Sequence, residues 1–278
     1  MKVRRVWVHM ALVLGLGVAL FPFAWMVSTS LKTKEEANLN LSFLPERPQF
    51  SNYARAWEGA RAITAGRHTF GRFFLNSLWV AGWVTGCVTL TACLAGYAFG
   101  CMEFPGKRFL FALFLSTMMV PFEVTLIPNF LTIHALGLQN SYTALILPWM
   151  ANVFSVFLTR QFMMSIPRDY YDAARIDGAG HWMYLTRVAA PMAAPALVTV
   201  ALFAFLGSWN SFLWPLLVID NPSKYVVQYG LALFVQEEST SYNTLMAAST
   251  MVIAPVAALY LIAQKQFVAG VAAVGLKG

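Results

Sequence analysis

Residues 73–100 read FFLNSLWVAGWVTGCVTLTACLAGYAFG, a run without one charged side chain. A helix rises 1.5 Å per residue, so about 20 mostly apolar residues cross the hydrocarbon of a bilayer. This run is long enough. Outward from it, the same criterion selects five more stretches, giving spans at 6–28, 73–100, 109–130, 142–162, 192–219 and 245–263. The fold these runs predict is an all-α polytopic membrane protein with six transmembrane helices, a single transmembrane domain over residues 1–278.

Composition agrees. Hydrophobic residues make up 59% of the chain, charged residues 11%, and mean hydropathy is +0.61. Average soluble domains carry about 25% charge, so water is not this chain's solvent. The net charge of +7 comes from basic residues scattered between apolar runs. That pattern suits cytoplasmic-side anchoring and argues against nucleic acid. Cys87, Cys93 and Cys101 fall in or beside one apolar run with neither C-x-x-C spacing nor nearby histidines. They read as packing residues, not a metal site or a disulfide framework.

The first run follows Lys2, Arg4 and Arg5, yet it is too long for a signal-peptide core and lacks a clear cleavage site. It is read as a retained span. Six spans put both termini on one side. With the N-terminus in the cytoplasm of a cell-membrane protein, 11 of the 19 Lys and Arg lie inside and 8 outside, which favours that orientation. Seven of those eight sit in the outer segment 30–72, the least apolar part of the chain. Its length suits a docking or lid role, and a plain solvated loop fits its residues equally well. Residues such as Asn52 and Glu58 are expected to face water there.

Chemistry is sparse. There is no H-E-x-x-H, and none of His9, His68, His134 and His181 sits deep in a span. GCMEFPGKR (100–108) only faintly resembles a phosphate loop: five residues separate its glycines, and Arg108 stands where Ser or Thr would hold magnesium. It reads as a turn. Glu123, beside Pro121, is the one acid within a predicted span. Ion-coupled carriers bury several ionisable groups, so the energy for any transport comes from elsewhere. No metal, catalytic residue or directly bound cofactor is expected.

Between spans four and five, residues 163–191 form the unusual segment, with SIPRDYYDAARIDGAGHWMYLTRVAAP over 165–191. Pro167 suits a helix's first turn. Tyr170, Ala173, Ala174 and Asp177 follow at helical spacing, and Gly178 fits the left-handed position that ends a helix. A second short helix runs from Gly180 towards Pro191. The spacing predicts a helix-turn-helix outside the bilayer, its small alanines permitting close approach by another protein. An amphipathic loop resting on headgroups is the alternative.

This loop resembles the signature of binding-protein-dependent ABC importer permeases: E-A-A, three residues, G, nine residues, I-x-L-P. Asp172, Ala173, Ala174 and Gly178 occupy its first part, Val188 and Pro191 its last; Asp172, Val188 and Ala190 depart from it while keeping charge or apolar character. PFAWMVSTSLK (22–32), NSL (76–78), LAGYAF (94–99), FPGKR (104–108), MMVPFEVTLIP (118–128), SWNSFLWP (208–215) and the tail FVAGVAAVGLKG (267–278) are similar to the maltose-type carbohydrate permeases. The resemblance implies a second permease subunit, two cytoplasmic ATPase subunits holding ATP and Mg, and an extracytoplasmic solute-binding protein. It also implies that the loop docks on the ATPase, with Asp172, Ala173, Ala174, Asp177 and Gly178 making the coupling helix and Pro191 marking re-entry to the membrane, and that the tail reaches the ATPase dimer.

For a sugar path, amides and aromatic faces within spans are the candidates: Asn152, Trp209, Asn210 and Trp214. A glycerol phosphate derivative is the alternative solute, and a membrane scaffold or a secondary carrier the alternative function. Gly82, Gly86, Thr89, Cys93, Gly96 and Gly100 form a small-residue stripe on span two, expected to pack face-on against another helix.

Overall fold

The computed structural model describes residues 2–39, 42–237 and 241–275. Among them every regular element is helical. In chain order these are α1 (Lys2–Ser30), α2 (Lys34–Leu39), α3 (Ser51–Ile63), α4 (Phe70–Cys101), α5 (Lys107–Ser116), α6 (Phe122–Ala135), α7 (Tyr142–Ile146) and α8 (Val153–Met164). Then come α9 (Arg168–Ile176), α10 (His181–Tyr184), α11 (Ala190–Met192), α12 (Ala194–Trp209), α13 (Leu213–Val218), α14 (Val227–Glu237) and α15 (Tyr242–Gly275). The chain divides into two compact units, Met1–Phe73 with Tyr229–Pro255, and Phe74–Gln228 with Val256–Gly278.

Among the described residues three stretches are long and apolar enough to cross a bilayer alone: Trp7–Ser30, Phe70–Cys101 and Tyr242–Gln264. α1 exposes Trp7, Leu12, Leu14, Val18 and Phe21, among other large apolar side chains. A helix apolar all round, with none of its best window buried in its own fold, has lipid or another membrane helix as its solvent.

The remaining predicted spans are not straight. Lys107–Met119 and Phe122–Ala135 meet at 99°, Tyr142–Trp149 and Val153–Met164 at 46°, and His181–Met192 and Ala194–Trp209 at 77°. Each break has a local cause. Pro121 drives Val120 into extended backbone, φ −81° and ψ 114°. Asn152 leaves the helical region and its Oδ1 accepts from Ser155 N at 3.0 Å, which caps α8. Pro191 and Pro195 flank the bend at Ala193. The stretch read as one span over 192–219 stops at Trp209, because Pro215 could not continue the helix past the Ser211 carbonyl. Backbone freed at such breaks needs partners in an apolar medium, and Thr91 Oγ1 donates to the Met150 carbonyl at 3.0 Å.

In the first unit, the segment between α1 and α4 is built and not merely solvated. Thr33 and Glu36 form a reciprocal capping box on α2 (Glu36 N to Thr33 Oγ1, 3.2 Å; Thr33 N to Glu36 Oε2, 3.4 Å). Asn52, expected to face water, is 0% exposed. Its Nδ2 donates to the Ser30 and Lys32 carbonyls, both at 2.8 Å, and its Oδ1 accepts from Asn243 Nδ2 at 3.1 Å. The buried Lys32 ammonium donates to the Ser42 carbonyl and lies 4.7 Å from the centre of the Trp25 ring. A short polar residue at a helix start was the wrong choice for a surface position, because three backbone and side-chain groups needed its amide.

In the second unit, Asn76 does comparable work. Its Nδ2 donates to the Ser223 and Tyr225 carbonyls at 2.9 and 2.8 Å, its Oδ1 accepts from Tyr142 Oη at 2.8 Å, and Ser77 Oγ accepts from Val227 N at 2.7 Å. A leucine at position 76 strands two carbonyls and a hydroxyl, each worth about 1–3 kcal/mol when buried and unpaired. Asn76→Leu is expected to lower the melting temperature of the detergent-solubilised protein by roughly 5 °C or more, at about 2–4 °C per kcal/mol. Tyr142→Phe, which removes one partner, is expected to lower it less. Equal melting of Asn76→Leu and the parent protein would contradict this.

Candidate functional site

The loop 165–191 starts from a helix with hydrogen-bonded ends. α9 is entered from Pro167 and closes in a Schellman motif: Ala179 N donates to Ala174 O at 2.8 Å and Gly178 N to Arg175 O at 3.1 Å. Gly178 carries the left-handed backbone this closure demands, φ +81°. Beyond it α10 widens into a π-helical turn, Leu185–Ala189, before α11.

The two faces of the loop differ. Asp172, Ala173, Asp177 and Gly178 are exposed, as is Pro191 in α11. Beside them Ile176 is 87% and Trp182 67% exposed, large apolar surface left uncovered by the described residues. The other face is packed. Tyr97, Met163, Tyr184, Leu185, Ala189 and Ala193 form a buried cluster, with Tyr171 and Ala174 against it. Ala174 therefore serves the chain's own core, while Ala173 is the alanine left open on the outer face.

A cavity of about 560 Å³ lies within the second unit, bordered by two of the helix interruptions. Trp149, Ala151 and Asn152 come from the break between α7 and α8; Ser208, Ser211 and Phe212 come from the end of α12. Irregular backbone at membrane depth persists where it lines a cavity, as in transporters with discontinuous helices. Asn152 Oδ1 is committed to the α8 cap, where it also accepts from Ser155 Oγ at 3.2 Å, leaving its Nδ2 without a hydrogen bond among the described residues. The indole N–H of Trp214 donates to Ala144 O at 2.9 Å, so this residue offers only its ring, in edge contact with Trp149 at 6.0 Å.

Of the four path candidates, Asn152 and Trp214 line this cavity and Trp209 and Asn210 do not. Trp209 is buried beside Phe74 and Phe205, ring centres 5.7 and 5.6 Å away, and Asn210 accepts from Gln228 Nε2 at 3.2 Å. Glu123 is exposed in the first turn of α6, where a helix dipole favours an acid, and it does not line the cavity. Sequence reasoning missed Phe122, Trp149 and Phe212; their one signal was aromatic character, beside Pro121 and Pro148 for the first two and three residues before Pro215 for the third.

The small-residue stripe of α4 divides. A Cβ on Gly96 would stand 2.8 Å from Thr159 Cγ2 and 3.1 Å from Arg160 N, and one on Gly100 3.3 Å from Met163 Cβ, so this half lies against α8. Gly82 and Gly86 are exposed with no atom of another element within 4 Å of such a Cβ, so at these two positions the stripe meets no other helix among the described residues.

Residues 72–272, which hold both the loop and the cavity, match the family described as binding-protein-dependent transport system inner membrane component. The chain belongs to that family. It is 32% identical over 264 residues to the arabinooligosaccharides transport system permease protein AraQ of Halalkalibacterium halodurans, covering 94% of this chain and 92% of the relative. The diacetylchitobiose uptake system permease protein NgcG of Streptomyces coelicolor is 32% identical, with 95% and 86% covered. The sn-glycerol-3-phosphate transport system permease protein UgpE of Yersinia enterocolitica is 30% identical, with 94% of each chain covered. Among solved structures, a bacterial ABC transporter involved in the import of the acidic polysaccharide alginate matches with a TM-score of 0.81 at 25% identity, over 96% of this chain and 98% of that one. This permease is thus an integral-membrane subunit of an ABC importer, which sets aside the scaffold and secondary-carrier readings.

Proposed function

We propose that this permease carries a sugar across the cell membrane in a complex with a second permease, two cytoplasmic ATPase subunits and an extracytoplasmic binding protein. The family match over residues 72–272 carries the reading. ATP and Mg are handled by the partner ATPases, and both termini of this chain are cytoplasmic. The exposed face of α9, with Asp172, Ala173, Asp177 and Gly178, docks on an ATPase, and its rigid-body movement opens the pathway alternately to each side. The tail motif 267–278 contributes to that contact; its last three residues lie outside the described ones.

The cavity supports a sugar over a glycerol phosphate. Trp149, Trp214 and four phenylalanines offer aromatic faces, and Asn152 Nδ2 with the Ser208 and Ser211 hydroxyls offers donors for neutral hydroxyl groups. Its lining holds no Lys or Arg to meet a phosphate. Purification of the tagged chain from its native membranes is expected to bring down an ATPase and a second permease of the same family. Recovery of this chain alone, in a form that still moves solute, would overturn the reading.

Orientation has its own test. Glu58 has a half-exposed side chain on α3, ion-paired to Arg61 at 2.7 Å, and its segment faces outward in the proposed topology. In a background lacking the native cysteines, Glu58→Cys is expected to react with an impermeant thiol reagent in intact cells, whereas Asn52→Cys stays protected until the fold is opened. Labelling of Glu58→Cys only after lysis would invert the topology.

A further inference from the structure

The loop is tied to α4 by one polar contact. Tyr97, 4% exposed in the LAGYAF stretch of α4, shares a hydrogen bond with His181 Nδ1 on α10, Oη to N 2.8 Å. Among the described residues this is the hydrogen bond that joins the loop to a span not adjacent to it in sequence. Two further rings, Tyr171 and Tyr184, close around it. Tyr171 of α9 lies edge-on to Tyr184 at 5.0 Å and 6.1 Å from His181, and Tyr97 lies 6.2 Å from Tyr184. α10 therefore meets one buried side chain of α4 through His181 and Tyr184, and α9 packs on those two rings through Tyr171, on the face opposite Asp172 and Ala173.

The chemistry of these contacts is asymmetric. Packed rings resist compression steeply and separation through the apolar surface they bury, but they set no single direction. A hydrogen bond is directional and resists withdrawal. A loop driven toward the membrane would push α4 through Tyr184, backed by Tyr171. A loop drawn away would carry α4 with it through the buried cluster they share, and the Tyr97–His181 bond is the directional contact that keeps the two in register as they move.

We infer that Tyr97 and His181 are positioning residues that keep α4 in register with the loop as it moves, so that breaking their hydrogen bond uncouples ATP hydrolysis from solute import. This rests on the importer reading above. Neither residue is among those assigned to docking or to the cavity lining, and Tyr97 is buried, so Tyr97→Phe in particular leaves ATPase docking and solute contact in place. His181 is exposed beside Trp182, and its variants are read against ATPase co-purification. A net intramolecular hydrogen bond corresponds to a factor of roughly 2 to 10 in an equilibrium, and that is the scale of effect to expect.

The test uses the full complex with its binding protein in proteoliposomes, measuring ATP hydrolysed and solute imported in the same vesicles. Tyr97→Phe and His181→Leu are expected to hydrolyse ATP at the parent rate while importing roughly two- to tenfold less solute per ATP. The double variant should be no worse than either single one, because both remove the same bond. His181→Asn, which keeps a hydrogen-bonding atom near the position of Nδ1, is expected to recover most of the coupling. Parent-like import per ATP in both single variants, additive losses in the double variant, or loss of ATPase co-purification would each overturn the inference. If the parent complex itself shows no ATP-dependent import, the importer reading falls; if it imports and the variants match it, only the role of Tyr97 and His181 falls.

Discussion

Gly178→Val and Asp172→Lys are each expected to reach the membrane in parental amounts and to import less than about a tenth as much solute as the parent. Gly178 holds φ +81° at the end of α9. A left-handed backbone costs an L-residue roughly 1–2 kcal/mol, and a β-branched side chain tolerates it least. Valine there opens the two hydrogen bonds that close α9, so the helix end is re-aimed. No neighbour crowds the position, so the membrane helices have no reason to fail. Asp172 is exposed, and exposed substitutions usually change stability by less than about 0.5 kcal/mol. A lysine there sets repulsion where the proposed docking surface has attraction. Import and ATPase co-purification measured in one preparation check both variants. Parental import with normal co-purification would remove the coupling role from α9.

The second large effect concerns assembly. Gly96→Leu is expected to deplete the protein from the membrane, because the first atom of any side chain there already meets Thr159 and the backbone of Arg160. Thr159 is fully buried with its hydroxyl donated to Ser155 O at 2.9 Å, so it has no free rotamer to yield. Overpacking a core costs typically 1–3 kcal/mol, and a clash against backbone forces α4 and α8 apart and costs more. Gly86→Leu is the matched control, since among the described residues no atom of another element lies within 4 Å of where its Cβ would stand. Its abundance should match the parent when this chain is expressed alone; a drop seen only in the presence of the second permease would locate a contact with that subunit. Equal abundance of Gly96→Leu and the parent would contradict the packing of α4 on α8.

Both glycines sit on the same stripe in the sequence, and periodicity cannot say where along a helix the neighbour ends. That limit recurs. α1, α4 and α15 were legible because an unbroken apolar run needs no partner to be recognised as a span. The breaks at Val120, Asn152, Ala193 and Asn210 were not, although Pro121, Pro191, Pro195 and Pro215 were in view. Hydropathy averages over a bend, and proline is tolerated in membrane helices when neighbours satisfy the freed backbone, as Pro22, Pro128 and Pro255 are here inside α1, α6 and α15. The cavity depends on two of those breaks, which explains why only two of the four path candidates line it and why Phe122, Trp149 and Phe212 were missed. The loop was more legible, since Pro167 and Gly178 fix a helix by local geometry alone. His181 was not, because its partner Tyr97 lies 84 residues away in the chain.

The central claim is that this permease, with its ATPase and binding-protein partners, moves a sugar by ATP-driven alternating access. The most direct measurement is uptake of radiolabelled neutral oligosaccharides into proteoliposomes holding the purified complex, with ATP inside and the binding protein outside. Accumulation is expected only when both are present, and sn-glycerol-3-phosphate should not compete. Accumulation without ATP or without the binding protein, or none under any condition with an active ATPase, would contradict the account.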